Sequence, residues 1–231
     1  MRKIDPEGVW SDFEDQLGEQ ARFYTRSLDA LTSAQDRKIA TENYTLTLGV
    51  LFEGFVNDLI FAYANRDCTR VMQHLETSVR KTLESNRKAA AAFDGFAEFK
   101  SQRHLTKKEL KAILDPAERN TSFPNYASIE DRANQWLIAE HARRFTGLTA
   151  QQRAIIDLTI AFRNNLAHRS KSSLDQLNDI LKLGPLYPTG LCRSVNRVQQ
   201  AGHYLKSQMN GGTRASVLAV LLREAAHELV R

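Results

Sequence analysis

Six consecutive residues, Arg163-Asn164-Asn165-Leu166-Ala167-His168, hold the two side chains best suited to act on a phosphodiester. A guanidinium is always charged and presents a planar fork of donors that matches phosphate oxygens. An imidazole, with an ordinary pKa of about 6.5, exchanges a proton near neutral pH. Asn164 adds a polar group directly after the arginine. Spacing alone does not single the pair out, because Arg197 and His203 stand at a similar separation. The context does: an apolar helical segment precedes the six residues, and the basic run His168-Arg169-Ser170-Lys171 closes them.

Positioning these groups falls to a helix opened by Thr149 and Gln152, a hydroxyl and an amide at the capping-box spacing. At about 100° per residue, Ile155, Leu158 and Leu166 lie within about 60° of Phe162, and that direction is the core. Arg163 falls about 100° to one side, Asn164 about 200° and His168 about 240° round. Arginine and histidine are therefore about 140° apart, a poor pincer within one copy. Two copies across a two-fold axis could bring the arginine of one to the histidine of the other. Asp157, Ala161, Asn164 and His168 form a stripe of the kind by which one helix meets another.

Helical periodicity dominates the rest of the chain, and no stretch alternates as a strand would. One helix is predicted over about Val9–Leu31, with Phe13, Leu17, Ala21, Tyr24 and Leu28 on one side. A longer one follows over about Asp36–Asn65 through Leu48, Leu51, Phe52, Phe55, Leu59 and Tyr63. Thr106 with Glu109 opens a short helix ended by Asp115-Pro116. Residues 118–127 read as a loop, Ser128 as the cap of a helix reaching Phe145, and Ser173 with Gln176 as the start of the helix after the motif. Gly184–Gly190, with two prolines and two glycines, is a connector, and a last helix runs over about Thr213–Val230. The polar, basic runs 87–92 and 100–111 suggest a peripheral excursion.

Composition sets the class. The chain has 231 residues, 42% hydrophobic and 26% charged, an ordinary globular balance compatible with one domain over 1–231. No secretory leader is apparent, and Glu53, Asn57 and Asp58 interrupt the longest apolar stretch, Tyr44–Ala64, so a cytoplasmic protein that spans no membrane is expected. Cys68 and Cys192 show no ligand spacing and read as packed thiols. No HExxH, CxxC, clustered carboxylate set or Gly-rich phosphate loop occurs, so neither metal nor cofactor is expected. From Arg163 to Arg231 ten Lys or Arg face four Asp or Glu, whereas the preceding 162 residues hold 22 basic and 23 acidic ones. The positive excess thus lies at and after the motif, as a polyanion partner would require.

Arg-Asn-x-x-x-His at the end of an apolar helix resembles the Arg-x(4–6)-His signature of the HEPN superfamily, small all-α domains named for higher eukaryotes and prokaryotes nucleotide-binding. Leu51–Asn65 (LFEGFVNDLIFAYAN) looks like the long helix of the prokaryotic branch, and Phe123–Leu137 (FPNYASIEDRANQWL) is similar to the segment before the motif helix in RiboL-PSP and related groups. The resemblance covers roughly residues 36–180. It implies an all-α bundle with its core at about 36–182; residues 89–111 and the last 45 residues fall outside the resemblance, and about 190–231 reads as a C-terminal helical extension. It further implies a homodimer with the motif at the interface, and metal-independent cleavage of RNA by a toxin or defence effector that could have an antitoxin or defence-system partner. On that resemblance Arg163, Asn164 and His168 take the signature positions and Glu53 is a supporting acid. Arg169 and Lys171 would bind RNA. Some members of the superfamily are inactive scaffolds, so a non-catalytic RNA-binding or structural role is the alternative.

Overall fold

Pro6, whose fixed φ suits a first helical turn, starts α1 (Pro6–Ala30), which buries Trp10, Phe13, Leu17 and Tyr24. Residues 31–33 turn the chain back, and the Ser33 hydroxyl accepts the amides of Gln35 and Asp36 to begin α2 (Ala34–Arg66). The computed structural model describes residues 3–84, 86–96, 104–115, 122–209 and 211–231. Both helices begin earlier than periodicity alone suggests, because capping rather than the first apolar residue sets a helix start.

α2 is the axis of the molecule. From Leu59 to Ala64 every side chain is at most 6% exposed, and the helix packs against α1, α8 (Ala150–His168), α10 (Ala201–Lys206) and α11 (Arg214–Glu228). By length and apolar content α2 could cross a membrane, yet 61% of its most apolar window is buried among these neighbours. Phe52, Leu59, Ile155, Leu158 and Phe162 form the centre of a core that also takes in Leu218, Leu222 and Ala225 of α11. Within the C-terminal segment, α11 lies against α8 and packs into the same core as α1. Tyr63 donates its hydroxyl hydrogen to the carbonyl of Leu229 at 3.0 Å, fastening the end of α11 to α2.

The remaining elements refine the predicted pattern. Thr106 and Glu109 form the expected capping box of α5 (Lys107–Leu114), and Thr149 and Gln152 that of α8. α3 (Thr69–Leu83) and α4 (Arg87–Phe96) sit at the periphery, but Leu105 and Leu110 bury the α5 end of that excursion in the core. Residues 97–103 and 116–121 of the predicted excursion and loop lie outside the described residues.

Four expected details are corrected. Asn125, not Ser128, caps α6 (Tyr126–Trp136), and the helix expected to reach Phe145 breaks at Leu137-Ile138 before α7 (Ala139–Thr146), which lets Trp136, Leu137 and Phe145 all reach the core. The connector Gly184–Thr189 is a 3-10 helix. A two-residue antiparallel ladder pairs β1 (Gln208–Met209) with β2 (Gly212–Thr213), its turn admitted by positive φ at Gly211 and Gly212.

The start of α6 is pinned to α8 by one bond: Asp157 Oδ1 accepts the backbone N–H of Tyr126 at 2.7 Å. Burial pushes the Asp157 carboxyl above the usual carboxylate range, and the Tyr126 amide only partly offsets it. The native carboxyl therefore takes up a proton at higher pH than in the unfolded chain, and its ionisation costs stability above that value. Asp157→Asn keeps the acceptor without the buried charge. Its melting temperature should equal or exceed that of the wild type at pH 7, with the gap narrowing as the pH falls through the carboxylate range and Asp157 takes up its proton. A drop of several degrees at pH 7 would show that the charge-assisted bond outweighs burial.

Candidate functional site

Phe162 and Leu158 are fully buried, which fixes the rotation of α8 and leaves Arg163 on its edge beside α2. There the α2 backbone comes unusually close. A Cβ on Gly49 would stand 2.5 Å from Arg163 Cβ and 2.8 Å from its Cγ, so a residue without a side chain is required. One turn further along α2, Glu53 Oε2 accepts from Arg163 Nη2 at 2.9 Å, and Arg163 Nη1 donates to Asn164 Oδ1 at 2.9 Å. The guanidinium is 29% exposed and the Glu53 carboxylate 23%, so both are partly shielded from water. Beside them lies a small cleft of about 20 Å³, also walled by Phe52, Phe123, Ile129 and Ile160. Among the described residues, two of the five guanidinium N–H groups are engaged, by Glu53 and Asn164. Arg163, Asn164 and Glu53 are thus brought together.

His168 is not brought to them. It occupies the last residue of α8, exposed, and makes no hydrogen bond or ion pair among the described residues. Helix geometry puts it about 7.5 Å along the axis from Arg163 and about 140° round. Directly after it the chain stops: Arg169 takes a left-handed conformation (φ 49°), and its amide caps the carbonyl of Asn165 at 2.8 Å. The Arg169 side chain, 78% exposed, reaches Glu42 Oε2 at 3.4 Å, and Lys171 is exposed. α9 (Lys171–Ile180) is capped by Ser170, which accepts the amide of Ser173. Ser173, expected to be the cap, is buried instead and accepts from the Asn165 amide at 3.2 Å, tying the end of α8 to the start of α9.

The stripe expected to meet another helix does so in part within the chain itself. Asp157 holds α6 and Ala161 is buried, which leaves the Asn164 and His168 end open. Beside that end, α2 presents Val50, 53% exposed, and the partly buried Leu46. Sequence reasoning passed over Gly49, Gly202 and Glu42. An isolated glycine inside an apolar helix was the available signal for Gly49, since such a glycine costs helix stability unless packing demands it. At Gly202 a Cβ would meet Glu42 Oε1 at 2.1 Å, so α10 is pressed onto the acid that also receives Arg169.

Among the described residues no three His, Cys, Asp or Glu side chains stand close enough to hold a metal ion. Cys68 is buried and Cys192 partly so, and neither is in a disulfide among the described residues. No family profile matches the chain, and no curated protein or solved structure is detectably similar to it.

The Gly49 contact gives a direct test. Gly49→Ala should force α2 and α8 apart at Arg163 and cost about 1–3 kcal/mol, as overpacking does. Chemical denaturation of both proteins measures this, and an unchanged midpoint would mean that the helices are free to separate there.

Proposed function

We propose that this chain is a metal-independent endoribonuclease with a HEPN-type bundle, acting as a homodimer in the cytoplasm as a toxin or defence effector. The observation that carries the reading is the held guanidinium. Glu53 and Asn164 fix Arg163 at an apolar cleft, while an uncommitted imidazole stands at the end of the same helix. Since the two lie on different sides of α8, the cleavage site is composite, with Arg163 of one copy and His168 of the other. The open face beside Arg163, with Val50 and Leu46 of α2 and the exposed Ala167 of α8, supplies apolar surface for that pairing.

In this scheme His168 takes the proton of a ribose 2′-hydroxyl or gives one to the 5′-oxygen leaving group. Arg163 stabilises the charge that builds on the phosphorane oxygens, and Glu53 keeps the guanidinium aimed and partly buried. The attacking 2′-oxygen bonds to phosphorus as the 5′-oxygen departs, leaving a 2′,3′-cyclic phosphate and a 5′-hydroxyl. Because the nucleophile is the 2′-hydroxyl, RNA and not DNA is the substrate. An antitoxin or a further defence subunit is the partner such a protein would need to keep it silent.

A second reading has one observation in its favour. Arg163 already has a carboxylate partner, as expected of a structural ion pair in a non-catalytic RNA-binding or scaffold protein.

Incubation with total RNA in EDTA separates the two. The wild type should leave cyclic-phosphate ends. His168→Ala should lose about 10²-fold or more of the rate while staying folded, and Arg163→Lys, which keeps the charge and loses the fork, should fall comparably. Val50→Arg should give a monomer that is inactive alone. Full cleavage by His168→Ala, or none by the wild type at low salt, sinks the ribonuclease reading.

A further inference from the structure

The α2 and α8 helices run antiparallel: Glu53 faces Arg163, and eleven residues earlier Glu42 faces Arg169. At that second level the first part of α2, the end of α8, the start of α9 and residues 199–201 line an open groove of about 390 Å³. Its charged lining is Lys38, Arg169 and Lys171 against one carboxylate, Glu42. Glu42 is shared. Lys38 Nζ lies 3.7 Å from its Oε1 and Arg169 Nη2 3.4 Å from its Oε2, while Lys38 also donates to Gln200 Oε1 at 3.1 Å. Lys171 is exposed and has no acidic partner among the described residues. The groove therefore keeps surplus positive charge, ordered by a single acid that the backbone of Gly202 presses into place.

We infer that this groove is a phosphate-backbone track for single-stranded RNA, a conclusion that rests on the ribonuclease reading for its substrate and adds the path that substrate takes. Asn165 and Leu166, which line the groove, point to the flank of α8 opposite that of Asn164 and Ile160, which line the Arg163 cleft. The short way from groove to cleft is around the C-terminal end of α8, and His168 stands there. A flexible single strand makes that turn, and a stiff duplex does not. No aromatic side chain lines the groove, so the strand is held by its phosphates and not by base stacking, and binding is indifferent to sequence. Glu42 competes with the phosphates for Lys38 and Arg169 and so limits affinity.

The test uses the full chain and a mixed-sequence single-stranded 2′-deoxy oligonucleotide, which binds but carries no nucleophile, read by fluorescence anisotropy across a salt series. Lys38→Ala combined with Lys171→Ala should weaken binding and lower the slope of log affinity against log salt by about 1.4, two phosphate contacts' worth on a single strand. Glu42→Gln should bind several-fold tighter. Lys182→Ala removes one charge just past the end of α9, outside the groove, and should leave the slope unchanged. No binding at all, an unaltered slope in the double variant, or an equal loss in Lys182→Ala overturns the track. Cleavage of RNA by the wild type is scored separately. Binding that follows these variants without cleavage defeats only the ribonuclease reading, and cleavage with groove-independent binding defeats only the track.

Discussion

The close approach of α2 and α8 at Gly49 governs the site. Because Gly49 has no side chain, the stem of Arg163 lies directly on the α2 backbone, and the guanidinium emerges one turn further on against Glu53. Any larger residue would hold the helices apart and take the carboxylate out of reach. The ion pair matters less for its strength than for its placement. Removing either partner would strand a partly buried charge, whereas together they keep a guanidinium fixed in a mainly apolar cleft where its field is poorly screened. The bundle exists, in this sense, to hold two helices at a separation only glycine allows.

Much of this was legible in sequence, and what was not has physical causes. The capping boxes at Thr106 and Thr149 were readable because a cap is a local bargain between residues three apart. The core direction of α8 followed from a rotation of about 100° per residue, and Ile155, Leu158, Phe162 and Leu166 are all buried. Ser170 and Ser173 could not be told apart in this way. Both are serines near a helix start, and the choice is made by the Asn165 amide, which engages Ser173 from the previous helix. Likewise the break at Leu137-Ile138 comes from the need to bury Trp136, Leu137 and Phe145 together, a tertiary demand without a proline or glycine to announce it. Glu53 was reached through a family resemblance, but its partner was not, since pairing across 110 residues leaves no trace in either neighbourhood.

Charge placement follows the same logic at a larger scale. The excess of Lys and Arg after residue 163 suggested a basic face, and the fold distributes it in two ways. Some cations are spent on carboxylates contributed by the acidic-balanced first part of the chain, as Arg163 is on Glu53, Arg169 on Glu42 and Arg223 on Glu14. Lys182, Arg197 and Arg231 pair instead with carboxylates of the C-terminal part itself, and Lys171 beside the motif has no acidic partner among the described residues. α2 is therefore a template as well as a core helix: its carboxylates Glu53 and Glu42 hold Arg163 and Arg169 in place.

The left-handed residue at the end of α8 ties these threads together. Arg169 is the non-glycine residue with positive φ among those described, a conformation that costs an L-residue roughly 1–2 kcal/mol. The surroundings sustain it. Its amide closes the last turn on Asn165, its side chain reaches Glu42, and Ser170 at once begins α9. A glycine would take that shape without strain, but it would surrender the cation at the mouth of the groove. The helix thus ends immediately after His168, which keeps the imidazole exposed at a terminus, outside the packed flank. Had α8 continued another turn in register, the next residues would have covered the histidine, and the separation of a held arginine from a free imidazole would have been lost.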